Sequence, residues 1–229
     1  MCYNATMSLT FGIIGLFTSI YIALFCPTLN KTYIHYILLF YTTMEFLQTF
    51  QYNYVNQCNN IINIVLTEIA YILVIVQPLI WNIFFYINTK LCEKQIFIVG
   101  IILGIIWMII NLLSRLLYMP QNGKINNNSI FASNKTCTKI NKSHLFWKWT
   151  SADFGDMTAN YLMYLLIWFI PAFVSKSFRI LSFITFIFAI IGLIMSLYAN
   201  ELNIWPSVWC YISVPMIISV IIYLYYNKD

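Results

Sequence analysis

Seven runs of largely apolar residues dominate this sequence, at about 8–26, 33–52, 61–87, 96–118, 156–175, 179–198 and 205–226. About 20 such residues suffice for a helix to cross the hydrocarbon core of a bilayer. A transmembrane barrel would need strictly alternating polarity, and "IFIVGIILGIIWMII" does not alternate. The runs therefore predict helices. Only 8% of the residues are charged, against about 25% in a soluble domain. Water could not solvate a surface so poor in charge. The expected fold is all-α: a single domain over 1–229, an integral membrane bundle of seven transmembrane helices with an outer loop at 119–155. The first run has no basic segment before it and no small-residue cleavage site after it, so it reads as a retained helix. A cleaved signal leaving six helices is the competing reading.

Short-loop basic residues set the expected orientation, because Lys and Arg accumulate on the cytoplasmic side. With the N-terminus outside and the C-terminus cytoplasmic, the inner segments hold Lys31, Lys90, Lys94, Lys176, Arg179 and Lys228. The outer tail and the loops 53–60 and 199–204 hold none. Loop 119–155 is the exception, with Lys124, Lys135, Lys139, Lys142 and Lys148. It is long, and long loops follow the rule less strictly. It also carries Asn-x-Ser/Thr triplets at Asn127, Asn134 and Asn141, which accept glycans only on the lumenal side. Asn4 is a further match outside, and Asn30 falls inside. A glycoprotein is expected.

The cysteines follow the same division. Cys2, Cys58, Cys137 and Cys210 fall outside or near outer helix ends, and Cys26 and Cys92 fall inside, where thiols stay reduced. A Cys58–Cys137 disulfide would pin the long loop over the bundle mouth. Free thiols packed as small hydrophobes are the alternative.

Polar residues inside the oily runs gather toward the outer side. Tyr41, Glu45, Gln48 and Tyr52 share one face of the second run by the i, i+3, i+4 rule. Glu45 falls near the midplane and Glu68 about two turns below the outer surface. Trp107, Asn111 and Arg115 form a rising stripe in the fourth run, and Asp153, Asp156, Asn160 and Tyr164 one in the fifth. Glu201 stands at the outer end of the sixth. An ionised group facing lipid is costly, so Glu45 must point into the bundle. The expectation is an outward-facing polar pocket formed by Glu45, Gln48, Glu68, Asn111, Arg115, Asp153, Asp156, Asn160 and Glu201. The bland alternative is that the amides only bond neighbouring helices and that Arg115 and Glu201 are interfacial charges.

Several chemistries are excluded or demoted. A covalent-retinal pigment needs a lysine in the last helix, and residues 205–226 have none. The two histidines, His35 and His144, fall on opposite sides, so no metal site is expected, and no cofactor. Neither a Gly-rich phosphate loop nor a G-x-S-x-G turn occurs. The loop lysines are interspersed with glycan triplets, which does not suit nucleic-acid binding. The third run ends "INTKLCEK", without the Asp-Arg-Tyr-type triplet of the main G-protein-coupled receptor class.

"TMEFLQTFQY", "VQPLIWN" and "IWPSVWCYIS" resemble the marks of an uncharacterised family of multi-pass membrane proteins from giant DNA viruses and some microbes. The resemblance spans the second to seventh runs. It implies a seven-helix protein of a host-cell or virion membrane and brings no known activity. The expected function is non-enzymatic and receptor-like, or that of an envelope or host-membrane component, with the lipid bilayer and an unknown small ligand or ion as partners. The alternative is a transporter or channel for protons, cations or a small cationic solute, using the intramembrane carboxylates.

Overall fold

The computed structural model describes residues 4–117, 136–141, 144–150, 161–198 and 205–226. The chain is mostly helical. Its elements are α1 (Ala5–Phe25), the short α2 (Pro27–Asn30), α3 (Ile34–Gln51), α4 (Ile61–Asn88), a 3-10 turn (Leu91–Glu93), α5 (Lys94–Leu116), β1 (Cys137–Asn141), β2 (His144–Lys148), α6 (Tyr161–Val174), α7 (Arg179–Tyr198) and α8 (Trp205–Tyr226). Among the described residues, three stretches are long and apolar enough to cross a membrane: Ala5–Phe25, Ile61–Asn88 and Leu91–Leu116. The outward sides of the helices carry large apolar residues, such as Phe17 and Leu24, each more than two-thirds exposed.

Capping and small residues explain much of the local order. The Asn4 side chain accepts from the Met7 N–H at 2.8 Å, and Asn60 accepts from the Ile62 N–H at 2.9 Å, so α1 and α4 each start on a capping amide. α1 packs on α3 through Ser8, Gly12, Gly15 and Ser19. A Cβ on Gly15 would lie 2.4 Å from Thr42 Oγ1, and the Ser19 hydroxyl donates to the His35 carbonyl at 2.8 Å. Small residues at this spacing let two helix backbones approach closely.

α4 is the central helix, in contact with α3, α5 and α6, while α8 packs against α3 and α7. An aromatic core joins them. Trp81 stacks on Trp168 with centroids 5.2 Å apart, Trp168 stacks on Phe169 and meets Trp209 edge-on, and the Trp81 indole N–H donates to Tyr41 Oη at 3.0 Å.

The all-α expectation needs one correction. β1 and β2 form an antiparallel hairpin in which Thr138 faces Trp147 and Asn141 faces His144. "HLFWK" alternates, burying Leu145 and Trp147 while leaving its other positions half-buried. That period-two signal is only five residues long, and it is submerged in the polar composition of loop 119–155.

Candidate functional site

The hairpin is seated on the polar ends of α3 and α4. β1 would otherwise present an unpaired strand edge, yet its outward backbone groups are taken up by asparagines. Asn63 Nδ2 donates to the Thr138 carbonyl at 2.9 Å, and the Thr138 N–H donates to Asn63 Oδ1 at 3.0 Å. The Asn56 N–H also donates to the Thr138 carbonyl, and the Ile140 N–H donates to Asn56 Oδ1. Asn56 does this from φ 64°, a left-handed conformation that asparagine tolerates better than most residues.

Side chains complete the seat. Gln51 Nε2 donates to Thr138 Oγ1 at 3.2 Å and to the Leu66 carbonyl at 3.1 Å, and its Oε1 accepts from the Trp147 indole N–H at 3.0 Å. The Thr67 and Thr138 hydroxyls share a hydrogen at 2.6 Å, and the Trp149 N–H donates to the Thr67 carbonyl. Gln51, Asn63, Thr67, Thr138, Trp147 and Trp149 are all at most 2% exposed. Buried polar groups are costly unless paired, so each partner set here stabilises the docked hairpin over a displaced one. A Cys58–Cys137 disulfide, with Cα atoms 5.0 Å apart, ties β1 to the loop before α4.

A second polar cluster lies beside this seat. Arg115 on α5 makes the one ion pair among the described residues, a fork onto both carboxylate oxygens of Glu68 on α4. Its guanidinium also donates to Thr150 Oγ1 at 2.7 Å and Thr136 Oγ1 at 3.0 Å, and it lies 5.2 Å over the Tyr71 ring. The Tyr71 hydroxyl donates to Asn111 Oδ1 at 3.0 Å, and Asn111 Nδ2 donates to the Trp107 carbonyl. Glu68 remains about one-third exposed, whereas Arg115 is largely covered.

The structure thus brings Glu68, Asn111 and Arg115 together. Glu45 is separate. It is buried on α3 against Ser8, in the first turn of α1. That contact lies toward the end of α1 that faces the hairpin. Gln48 is fully buried one turn further along α3. Asp153, Asp156, Asn160, Glu201, Asn127 and Asn134 lie outside the described residues, and Asn141 ends β1. Asn4 is exposed at the start of α1.

Sequence reading missed Asn63, Thr67, Thr138, Trp147 and Trp149. The i, i+4 pair Asn63 and Thr67 was a legible signal, because two polar residues on one face of an oily helix need a partner. Asn82 was missed too. Its Nδ2 donates to the Ile167 carbonyl at 2.9 Å. Pro171, four residues later, has no N–H to offer that carbonyl.

A model of a family of unknown function, DUF5765, matches residues 6–228. An uncharacterized protein of Acanthamoeba polyphaga mimivirus is 27% identical over 248 aligned residues, covering 98% of this chain and 96% of the relative. No solved structure matches. Both matches accord with the uncharacterised giant-virus family that the three motifs resemble. With nearly its whole length inside the match, the chain belongs to the DUF5765 family of unknown function.

Proposed function

We propose that the chain is a non-enzymatic, receptor-like integral membrane protein of seven transmembrane helices, resident in a host-cell or virion membrane. Its N-terminus is outside and its C-terminus cytoplasmic. Its recognition face is the hairpin end, where the rim around Glu68 and Arg115 meets a small polar or ionic ligand. The observation that carries this reading is the hairpin seat itself. Polar side chains that would be costly in lipid are spent on a disulfide-tied hairpin at the end of the bundle where α1 begins. Disulfides persist in oxidising compartments, which supports an outer location for that end. Lys31, Lys90, Lys94, Lys176 and Arg179 sit at the opposite end, as cytoplasmic loops require. The broad exposure of large apolar residues suits helices facing lipid.

The transport reading draws support from Glu45, a buried carboxyl group with no ion pair among the described residues. Two measurements separate the readings. Expression with microsomes should add glycans at one or more of Asn4, Asn127, Asn134 and Asn141. Modification at Asn30 instead would invert the topology and sink the outward recognition face. Reconstituted liposomes should show no proton or cation flux above that of empty vesicles. Flux that Glu45→Gln abolishes would establish the transporter.

A further inference from the structure

An apolar groove of about 370 Å³ runs between α5 and α6, from Trp107 and Met163 at one end to Ile96 and Val174 at the other. All its lining side chains are apolar or aromatic. Its walls include Val99 and Ile170, each at least half exposed, so it opens sideways. From Ile96 to Trp107 the helix rises about 16 Å at 1.5 Å per residue. That is the height of one leaflet, half of the ~30 Å hydrocarbon core. The groove therefore runs from one membrane surface to the vicinity of the midplane, the path of a single acyl chain.

Charge marks which surface. The Ile96–Val174 end lies two residues from Lys94 on α5 and two from Lys176 in the α6–α7 turn, with Lys90 and Arg179 close in sequence. Lys176 is exposed, and neither Lys94 nor Lys176 forms an ion pair with a described residue. Lys94 Nζ rests 4.8 Å over the Tyr86 ring, and Arg179 Nε donates to the Phe173 carbonyl. Glu93 is the one acidic side chain in these segments, and its carboxylate is held by the Ser175 hydroxyl and the Ser177 N–H. So bonded, Glu93 keeps its negative charge, but against Lys90, Lys94, Lys176 and Arg179 it leaves the groove mouth net positive.

We infer that the α5–α6 groove binds an anionic glycerophospholipid of the cytoplasmic leaflet, with one acyl chain in the groove and the phosphate between Lys94 and Lys176. Basic pockets between helices on the cytoplasmic side recognise such headgroups. The inference rests on the membrane orientation proposed above.

The test uses the full chain, purified in a nonionic detergent. It is titrated with phosphatidylglycerol or with phosphatidylcholine carrying the same acyl chains, and bound lipid is counted by native mass spectrometry. Phosphatidylglycerol should be retained one-to-one about tenfold better than phosphatidylcholine. Lys94→Gln with Lys176→Gln should bring it down to the phosphatidylcholine level. Lys176 is exposed and Lys94 half-buried, and neither change breaks an ion pair among the described residues, so the far-ultraviolet circular dichroism should be unaltered. Val99→Trp, which fills the groove from its open side, should lower retention of both lipids. Equal retention of the two lipids by the parent chain overturns the site. So does undiminished phosphatidylglycerol binding in the double lysine variant or in Val99→Trp. Carbonate washing of expressing membranes separates the two ideas. Release of the chain would sink the membrane reading, whereas a retained chain that does not discriminate between lipids sinks only the groove site.

Discussion

Arg115 on α5 donates through Nε to Glu68 Oε2 on α4 at 3.1 Å, and the same guanidinium holds Thr136 and Thr150. Thr136 immediately precedes β1 and Thr150 follows β2. One cation therefore ties two helices to both ends of the hairpin. The charge attraction itself is modest, because Glu68 is about one-third exposed and solvent screens it. The hydrogen bonds matter more: the guanidinium serves Glu68, Thr136 and Thr150 at once, and without it only the Thr136 bonds to Glu68 and Thr150 remain.

Arg115→Met should accordingly cost about 1–3 kcal/mol, and Glu68→Gln less, because the amide keeps an acceptor for Arg115. Thermal unfolding in detergent, followed by tryptophan fluorescence, reads this directly. A double-mutant cycle should give a coupling of no more than about 1 kcal/mol. An unchanged melting temperature in Arg115→Met would show that the hairpin does not depend on this cation.

Replacing Cys58 and Cys137 together by Ser opens a closure of 79 residues. A chain-entropy estimate puts the loss at about 4 kcal/mol, less where membrane insertion already restrains the unfolded chain. The hydrogen-bonded seat should persist, so the variant should fold at low temperature and melt earlier. Non-reducing peptide mapping of the parent should recover the two cysteines in one linked pair. Recovery of both as alkylated free thiols from intact protein would refute the clamp.

Gln51→Leu removes one side chain that satisfies Thr138, Leu66 and Trp147 at once. The Trp147 N–H would be left buried without its acceptor, at about 1–3 kcal/mol. Thr138→Val should be of similar size, and the two losses should not add, since they share a bond. Full additivity would mean that the seat is not one network.

What could be read from the sequence follows the length of each signal. Long apolar helices such as Ala5–Phe25, Ile61–Asn88 and Leu91–Leu116 declare themselves over more than 20 residues, and hydropathy alone finds them. The gathering of Glu68, Asn111 and Arg115 was partly legible, because each is a polar side chain inside a long apolar run and needs a partner there. The hairpin was not. Its alternation is brief, and its burial depends on asparagines 75 to 84 residues away, a pairing that no local period reports. The contact of Glu45 with Ser8 was not legible either, because it depends on how α1 packs against α3 and no local period reports that.

Asn82 gives the sharpest test of how α6 tolerates its proline. Pro171 removes the N–H that would serve the Ile167 carbonyl, and Asn82 Nδ2 replaces it from across the α4–α6 interface. Asn82 also donates to the Pro78 carbonyl at 2.8 Å, which fixes the amide in place. Its Oδ1 then has no hydrogen-bond partner among the described residues and faces Gly100, where a Cβ would come within 2.1 Å. Asn82→Ala should cost about 1–3 kcal/mol by leaving the Ile167 carbonyl unpaired. Adding Pro171→Ala supplies the missing N–H, so the double variant should recover most of that loss. Gly100→Ala should destabilise the parent, because the pinned amide cannot retreat, and should cost less once Asn82 is alanine, when Pro171 Cγ at 3.0 Å is the close contact left. Melting temperatures of the four variants in one detergent decide the matter. If Pro171→Ala leaves the cost of Asn82→Ala undiminished, Asn82 is a packing residue and the orphan carbonyl is satisfied some other way.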